Sequence, residues 1–311
     1  MVDNSERREL AIRAAWLYHE RGFTQQAVAD RLGISRSTIS RLLADAERDG
    51  IVRVTVTEPL PETARLAEDL IERYDLEAAT VEISLDRGAA MDAAATAMAR
   101  RLEHMVTGGP ITIAAGWGRT LSRSAQLTRK THTTEVVIVD AFGHTTTDEF
   151  TSAVEVTNTL GSKFGARVMH MPSPGFAATA EIAHNFLESE PVCRAMERAR
   201  AADAILVSVG VASDQSLLLA EGLLTQSKMK GIVAAGGVGE VFGRYYDAAG
   251  DAVEPQALHP VSLTLDDLRA ARRVIAVAGG SEKAAAIKGA LAAGIVNELA
   301  VDDGLAEILL A

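Results

Sequence analysis

Apolar residues recur at helical spacing from the start of the chain. In "SERRELAIRAAWLYHERG" the sets Leu10, Ala14, Leu17 and Ala11, Ala15, Tyr18 mark one helical face, with Gly22 as the stop. "TQQAVADRLG" predicts a short second helix, capped by Thr24 and ended by a left-handed Gly33. Ser35 is the N-cap of a third helix, running to about Asp49 before Gly50. Val28, Ala29, Leu32, Ile34, Ile39 and Leu42 then share one interior at the spacing of a helix-turn-helix, and Ala29 is small enough for two helices to cross closely. "IVRVTVTEP" follows, with Val52, Val54 and Val56 alternating against Arg53, Thr55 and Thr57, the pattern of a strand or small wing.

Beyond it, Glu58-Pro59-Leu60-Pro61 breaks the pattern and serves as a linker. A helical "ETARLAEDLIERYDL" leads into a second region where short apolar runs alternate with helical stretches. The runs are "AATVEIS", "ITIAAG", "EVVIVDA", "ARVMHMP", "AILVSVG", "GIVAAGG", "VIAVAGG" and "NELAVDD", several of them ending in glycine before a helix. Repeated strand–loop–helix units predict a mostly parallel sheet with helices on both faces. The expected architecture is α/β: a helix-turn-helix, winged-helix-like domain over 1–57, a linker at 58–61, and a larger effector-binding and oligomerisation domain over 62–311.

The third helix carries unusual chemistry for a surface helix. With Ile39 and Leu42 turned inward, Ser35, Arg36, Ser37, Thr38, Ser40 and Arg41 must face mostly outward. A solvated face usually holds Glu and Lys, which are better helix formers than Ser and Thr. Arginine forks onto guanine or phosphate, and hydroxyls donate to phosphates or base edges. The N-terminal residues of a recognition helix are the ones that enter the major groove. Double-stranded DNA is therefore the expected partner, with Thr24, Gln25 and Arg53 completing the contact set.

The overall charge of -11 argues against nucleic acid only until it is divided. Residues 1–57 carry a net +1 and the rest -12, so the acidic bulk limits non-specific binding without opposing the N-terminal arginines. The 48% hydrophobic and 23% charged residues are those of a globular chain. The polar N-terminus predicts no export signal, and no apolar run approaches the roughly 18 residues of a membrane helix. A cytoplasmic location is expected, with Cys193, the one cysteine, as a small buried hydrophobe.

Two strand-end loops point to an anion. In "ITIAAGWGRTLSRSAQL", Gly116 and Gly118 let backbone amides approach a ligand, and Arg119 and Thr120 add a charge and a hydroxyl. In "VIAVAGGSEKAAAIKGAL", Gly279 and Gly280 end a strand, and Lys283 lies in the next helix's first turn, where it opposes the helix dipole unless an anion sits there. Phosphate-loop, dinucleotide and G-x-S-x-G motifs are absent: in "GGVGEVFGRYYD", Phe242 stands in the place of the third glycine. His132, His144, His170 and His184 show no ligand spacing, so no metal or resident cofactor is expected.

Together, "YHERGFTQQAVADRLGISRSTISRLLADAERDGIVRV", "GWGRTL", "GGVGEVFGRYYDAAG" and "VIAVAGGSEKAAAIKGAL" resemble the SorC/DeoR-type sugar-binding transcriptional regulators over nearly the whole chain. The resemblance implies an effector domain related to sugar-phosphate isomerases, binding a sugar phosphate or related metabolite, and a homo-oligomer, dimer or tetramer, on palindromic or repeated operators. It implies a ligand site of Gly116, Trp117, Gly118, Arg119 and Thr120, with Gly236, Glu240 and Asp247, and with Gly279, Gly280 and Lys283. One departure stands out. Where the family usually shows a glycine pair, this chain has Asp140-Ala141-Phe142-Gly143-His144, which adds Asp140 and Gly143 to the candidate set and favours a polyol or hydroxyl-rich ligand. The competing reading is an isomerase-like enzyme carrying a DNA module, with Asp140, Asp214 and Asp247 as candidate general bases.

Overall fold

The computed structural model describes residues 4–52, 61–131, 135–145, 152–253 and 258–311. The chain divides into two compact units, Met1–Leu60 and Pro61–Ala311.

In the first unit, α1 (Asn4–Ala15) runs on into a π-helical turn at Trp16–Glu20, and Gly22 follows at φ +69°. The next helices are α2 (Gln25–Leu32) and α3 (Arg36–Arg48). Thr24 caps α2 by accepting from Ala27 N at 3.2 Å, and Gly33 ends it in the left-handed conformation at φ +67°. Ser35 caps α3, accepting from Thr38 N at 3.1 Å. Ala11, Ala14, Leu17, Val28, Ala29, Ile39, Leu42, Leu43 and Ala46 form the core, with Leu32, Ile34, Ile51 and Val52 packed against it. Burying an Ile39 or Leu42 contributes about 1.5–3 kcal/mol. The expected wing at Arg53–Thr57 lies outside the described residues, as does the linker apart from Pro61.

The second unit contains twelve strands among the described residues. In chain order they are β1 (Ala78–Glu82), β2 (Ile111–Ala115), β3 (Val136–Asp140), β4 (Arg167–Met169), β5 (Phe176–Ala177), β6 (Ala204–Ser208), β7 (Gly210–Val211), β8 (Gly237–Val241), β9 (Arg244–Asp247), β10 (His259–Pro260), β11 (Val274–Ala278) and β12 (Glu298–Asp302). Seven form one sheet in the order β1-β12-β11-β6-β2-β3-β4, all parallel. Two small antiparallel sheets, β7-β8-β9 and β10-β5, lie outside it.

The helices of this unit are α4 (Glu62–Tyr74), α5 (Ala90–Val106), α6 (Arg119–Leu127), α7 (Ala153–Phe164), α8 (Ala180–Glu188), α9 (Glu190–Arg200), α10 (Leu217–Ala220), α11 (Gln226–Ala234), α12 (Leu265–Ala270), α13 (Ala284–Ala292) and α14 (Asp303–Leu310). They cover both faces of the large sheet. Successive strand residues point to opposite sides, so Ala204 and Leu206 of β6 join the core of α5, α6 and α7, whereas Ile205 and Val207 join that of α9, α13 and α14. α5 contributes ten buried residues and is a core helix.

Seven of the eight apolar runs contain strands of the large sheet. The exception is "GIVAAGG", whose first four residues end α11 and whose final Gly237 opens β8. Its helix is nucleated upstream, where the Thr225 side chain accepts from Lys228 N at 3.3 Å, and a short apolar run fits helix or strand equally. Cys193 is half-buried, its Sγ 2.9 Å from the Leu187 carbonyl.

Candidate functional site

The first unit offers one chemically distinctive face. Ser35, Arg36, Ser37, Thr38, Ser40 and Arg41 are all exposed, while Ile39 and Leu42 between them are buried. Ser35 Oγ also bonds Ser37 Oγ at 2.9 Å and Thr38 Oγ1 at 2.8 Å, so three hydroxyls gather at the helix N-terminus. There the partial positive charge of the helix favours an anion. Asp45 holds Arg7 and Arg48, each at 2.6 Å, and these hydrogen bonds keep its carboxyl below the usual range. Among the described residues neither Arg36 nor Arg41 joins an ion pair. Thr24 spends its hydroxyl on the α2 cap, and Gln25 is half-buried beside it. Arg53 lies outside the described residues.

In the second unit, the order of the large sheet places β2 and β6 side by side with their onward connections leaving in opposite directions. Such a switch point opens a crevice at the carboxyl ends of the strands. A cavity of about 130 Å³ lies there. Trp117, Gly118, Arg119 and Thr120 line it from the β2 loop and α6, Ser208 and Gly210 from the end of β6 and from β7, and Glu240 from β8. Gly279, Glu282 and Lys283 close it from the β11 loop. The two glycine loops singled out in the sequence therefore meet in one cavity.

Its charges are Arg119, Lys283, Glu282 and Glu240. Arg119 is exposed at the mouth. Lys283 Nζ donates to the Val209 carbonyl at 2.9 Å. Burial lowers the Lys283 pKa, against the opposing pull of Glu240 and Glu282. Burial likewise pushes Glu240 up to about 7, although Gly243 N donates to its Oε1 and Lys283 and Arg244 favour its charge. A Cβ on Gly210 would collide with Glu240 Oε2, so the carboxyl lies directly on the β7 backbone. The cavity thus combines two cations with two carboxyls, and burial moves one of these, Glu240, up to about 7.

An aromatic cluster fixes the wall. Trp117 is buried and stacks on Phe142 with centroids 5.4 Å apart at 10°, and Phe142 in turn stacks on Phe242 at 6.1 Å. Gly116 belongs to this packing, since a Cβ there would meet Phe242 Cε1 at 2.5 Å and its N–H already donates to Leu206 O at 3.0 Å.

Several candidate residues do not reach the cavity. Asp140 lies away from the lining: it is fully buried, and its carboxylate accepts from Thr157 Oγ1 at 2.8 Å and Met171 N at 3.0 Å and faces His170 Nδ1 at 3.0 Å. Desolvation raises its pKa, these three partners oppose the rise, and its carboxylate is committed to tying β3 to α7 and β4. Gly143 is close-packed, because a Cβ would collide with the Pro174 carbonyl. Asp247 accepts from Ala249 N at 2.9 Å and Asp251 N at 3.0 Å and so shapes the turn after β9, with Gly236 beside it rather than beside Glu240. Gly280 N donates to Asp302 Oδ1 at 2.8 Å, outside the lining. Met91, Ser208, Gln215 and Glu282 line the cavity unforeseen. Ser208 had a signal, sitting in an apolar run that ends in glycine, and Glu282 lies in the second glycine loop itself. Among the described residues no cluster of three or more His, Cys, Asp or Glu is arranged to hold a metal, and no helix is long and apolar enough to cross a membrane.

A helix-turn-helix unit joined to a parallel α/β unit with a polar switch-point cavity defines a DNA-binding protein that carries a small-molecule domain. Comparison with known proteins gives the family. The sugar-binding domain model matches residues 58–311 and a homeodomain-like domain model matches 4–54. The erythritol catabolism regulatory protein EryD of Brucella abortus is 31% identical over 306 residues, spanning 97% of this chain and 96% of that one. The deoxyribonucleoside regulator of Bacillus subtilis is 29% identical, spanning 98% of each. The full-length sorbitol operon regulator SorC from Klebsiella pneumoniae has the same fold, with a TM-score of 0.74 over 98% of this chain and 99% of that one at 24% identity. The chain belongs to the SorC/DeoR-type sugar-binding transcriptional regulators.

Proposed function

We propose that this regulator grips double-stranded operator DNA with the exposed face of α3 and senses a small carbohydrate in the β2/β6 cavity. The observation that carries the sensing half is the meeting of Arg119, Lys283 and Glu240 around the N-terminus of α6. The cations and helix terminus suit a phosphate, and a neutral Glu240 carboxyl can both donate to and accept from a sugar hydroxyl. At about 130 Å³ the cavity is on the scale of a small carbohydrate rather than an oligosaccharide. With Asp140 committed elsewhere, Glu240 is the carboxyl that reads hydroxyls. The protein works in the cytoplasm as a homo-oligomer, without a resident cofactor and without catalysis.

The test is a melting-temperature series on the purified protein with sugar phosphates, free sugars and polyols. Erythritol and deoxyribonucleosides, suggested by the names of two relatives, are included with their phosphates. A ligand at 100 times its dissociation constant adds about 2.7 kcal/mol of stability. A matching change in affinity for a DNA fragment from upstream of its own gene completes the assignment. No stabilisation by any carbohydrate would remove the sensing half.

A further inference from the structure

The two-residue connection between β8 and β9 breaks a local rule. Val241 pairs with Arg244, and between them Phe242 and Gly243 lie at φ +55° and φ +76°. Two positive φ angles in a two-residue hairpin define a type I′ turn, whose first position is usually Asn, Asp or Gly. Among the described residues, Asp75, Glu135 and Phe242 are the non-glycine residues with positive φ, and Phe242 alone of them is apolar. A bulky side chain in this conformation is strained, and such strain persists only where the surroundings fix it.

Here the surroundings hold both ends of the residue. A Cβ on Gly116 would meet Phe242 Cε1 at 2.5 Å, so the buried ring lies directly against the backbone of the β2 loop. The next residues of that loop, Trp117, Gly118 and Arg119, line the cavity. Phe142, stacked on both Trp117 and Phe242, also packs edge-on against Phe176 at 5.2 Å and completes the socket. On the backbone side, the Gly243 N–H of the turn donates to Glu240 Oε1. The Arg244 guanidinium donates to the Phe242 carbonyl at 3.4 Å. Phe242 therefore touches the β2 loop with its ring and sets the Glu240 wall with its backbone.

We propose that Phe242 is a positioning residue of the cavity: its ring, seated on Gly116, holds the strained turn whose Gly243 N–H orients the Glu240 carboxyl. An Asn-Gly pair would make the better hairpin turn but has no ring to reach Gly116. The strain at residue 242 thus serves the cavity rather than the hairpin. The two walls move as one, and a ligand reaching from Arg119 to Glu240 meets a fixed spacing. That a carbohydrate fills this space rests on the sensing role proposed above, whereas the positioning of Glu240 does not.

The charged and titratable groups facing this carboxyl are Lys283 from the β11 loop, Arg244 from β9, and Tyr245 and Tyr246 beside it, with Glu282 acting on Lys283. Comparing each protein with the same protein carrying Glu240→Gln isolates the carboxyl from them. Melting temperatures of the full chain at pH 5 and pH 8, with and without Glu240→Gln, give the part of the pH-dependent fall that belongs to Glu240. In Phe242→Leu, which keeps an apolar side chain and loses the ring, that part should shrink at least twofold. Water reaching the loosened turn would bring the carboxyl back toward its ordinary range. Gly116→Ala should shrink it likewise by pushing the ring off its seat, and adding it to Phe242→Leu should change little more. Circular dichroism verifies folding, and Gly116→Ala supplies the reading if Phe242→Leu does not fold. A merely structural ring would lower the melting temperature equally at both pH values. An unchanged Glu240 part in either variant, or full additivity of the two, would overturn the assignment. No carbohydrate enters this measurement, so a failure of the sensing role and a failure of the positioning role are read separately.

Discussion

Lys283 Nζ and the Val209 carbonyl lie 2.9 Å apart, and this bond holds the lysine in the cavity without neutralising it. The carbonyl accepts a hydrogen bond but supplies no counter-charge, so the ammonium's charge is shared between Glu240, Glu282 and whatever ligand enters. Lys283→Met should fold normally and lose affinity for a phosphorylated ligand by about 10- to 150-fold, the equivalent of one charged hydrogen bond of roughly 1.5–3 kcal/mol. Calorimetric titration reads the loss, and a neutral polyol should be affected far less.

Glu240 makes the cavity sensitive to pH. Its folded pKa of about 7 lies above its ordinary 4.5, so the folded protein keeps a proton there that the unfolded chain releases. The group's unfavourable contribution is absent below pH 4.5, grows as pH rises through the window between the two values, and levels off above 7. Glu240→Gln should flatten this decline and raise the melting temperature at pH 8. The same proton bears on ligand affinity. Above pH 7 the ionised carboxyl opposes an anionic ligand, so the dissociation constant should rise by up to tenfold per pH unit, with Glu240→Gln removing the dependence.

Asp140 is a tie within the fold. Its carboxylate faces two donors and a histidine, and an amide can offer only one acceptor oxygen to them. Asp140→Asn should cost about 1–3 kcal/mol in denaturant unfolding and leave carbohydrate affinity unchanged wherever the protein is folded. A specific loss of polyol affinity would return Asp140 to the binding site.

The two unpaired arginines of α3 should behave differently from the paired ones. Arg36→Ala and Arg41→Ala should each weaken binding to the operator fragment by about 1–3 kcal/mol, with a salt slope lower by about one where the contact is to phosphate. Arg48→Ala, which removes a partner of Asp45, should leave DNA affinity nearly unchanged. Titrations at several salt concentrations separate the cases.

The first unit was legible because its signals are local. Thr24, Gly33 and Ser35 mark helix ends through bonds spanning three to five residues, and the spacing of Ile39 and Leu42 orients α3. The parallel strands were legible because burial on both faces demands continuous apolar runs. The sequence was less legible where distance along the chain mattered. Asp140 looked available because Thr157 and Met171, which claim it, lie 17 and 31 residues away. Gly143 and Gly116 looked like openings for a ligand, yet each is glycine because another part of the chain presses on it. Glu240 was named from its family position and lines the cavity, while the burial that moves its pKa belongs to the assembled fold.

The chain's two tryptophans divide between its two units, and their surroundings are opposite: Trp16 stands 52% in solvent and Trp117 only 5%. The protein therefore carries a built-in two-channel optical probe. Trp117, stacked in apolar surroundings on the cavity wall, should emit toward the blue and report on what enters beside it. Trp16, half in solvent, should emit toward the red and be open to quenching by iodide. Emission recorded with and without quencher thus follows effector uptake and the state of the N-terminal unit in one unlabelled sample.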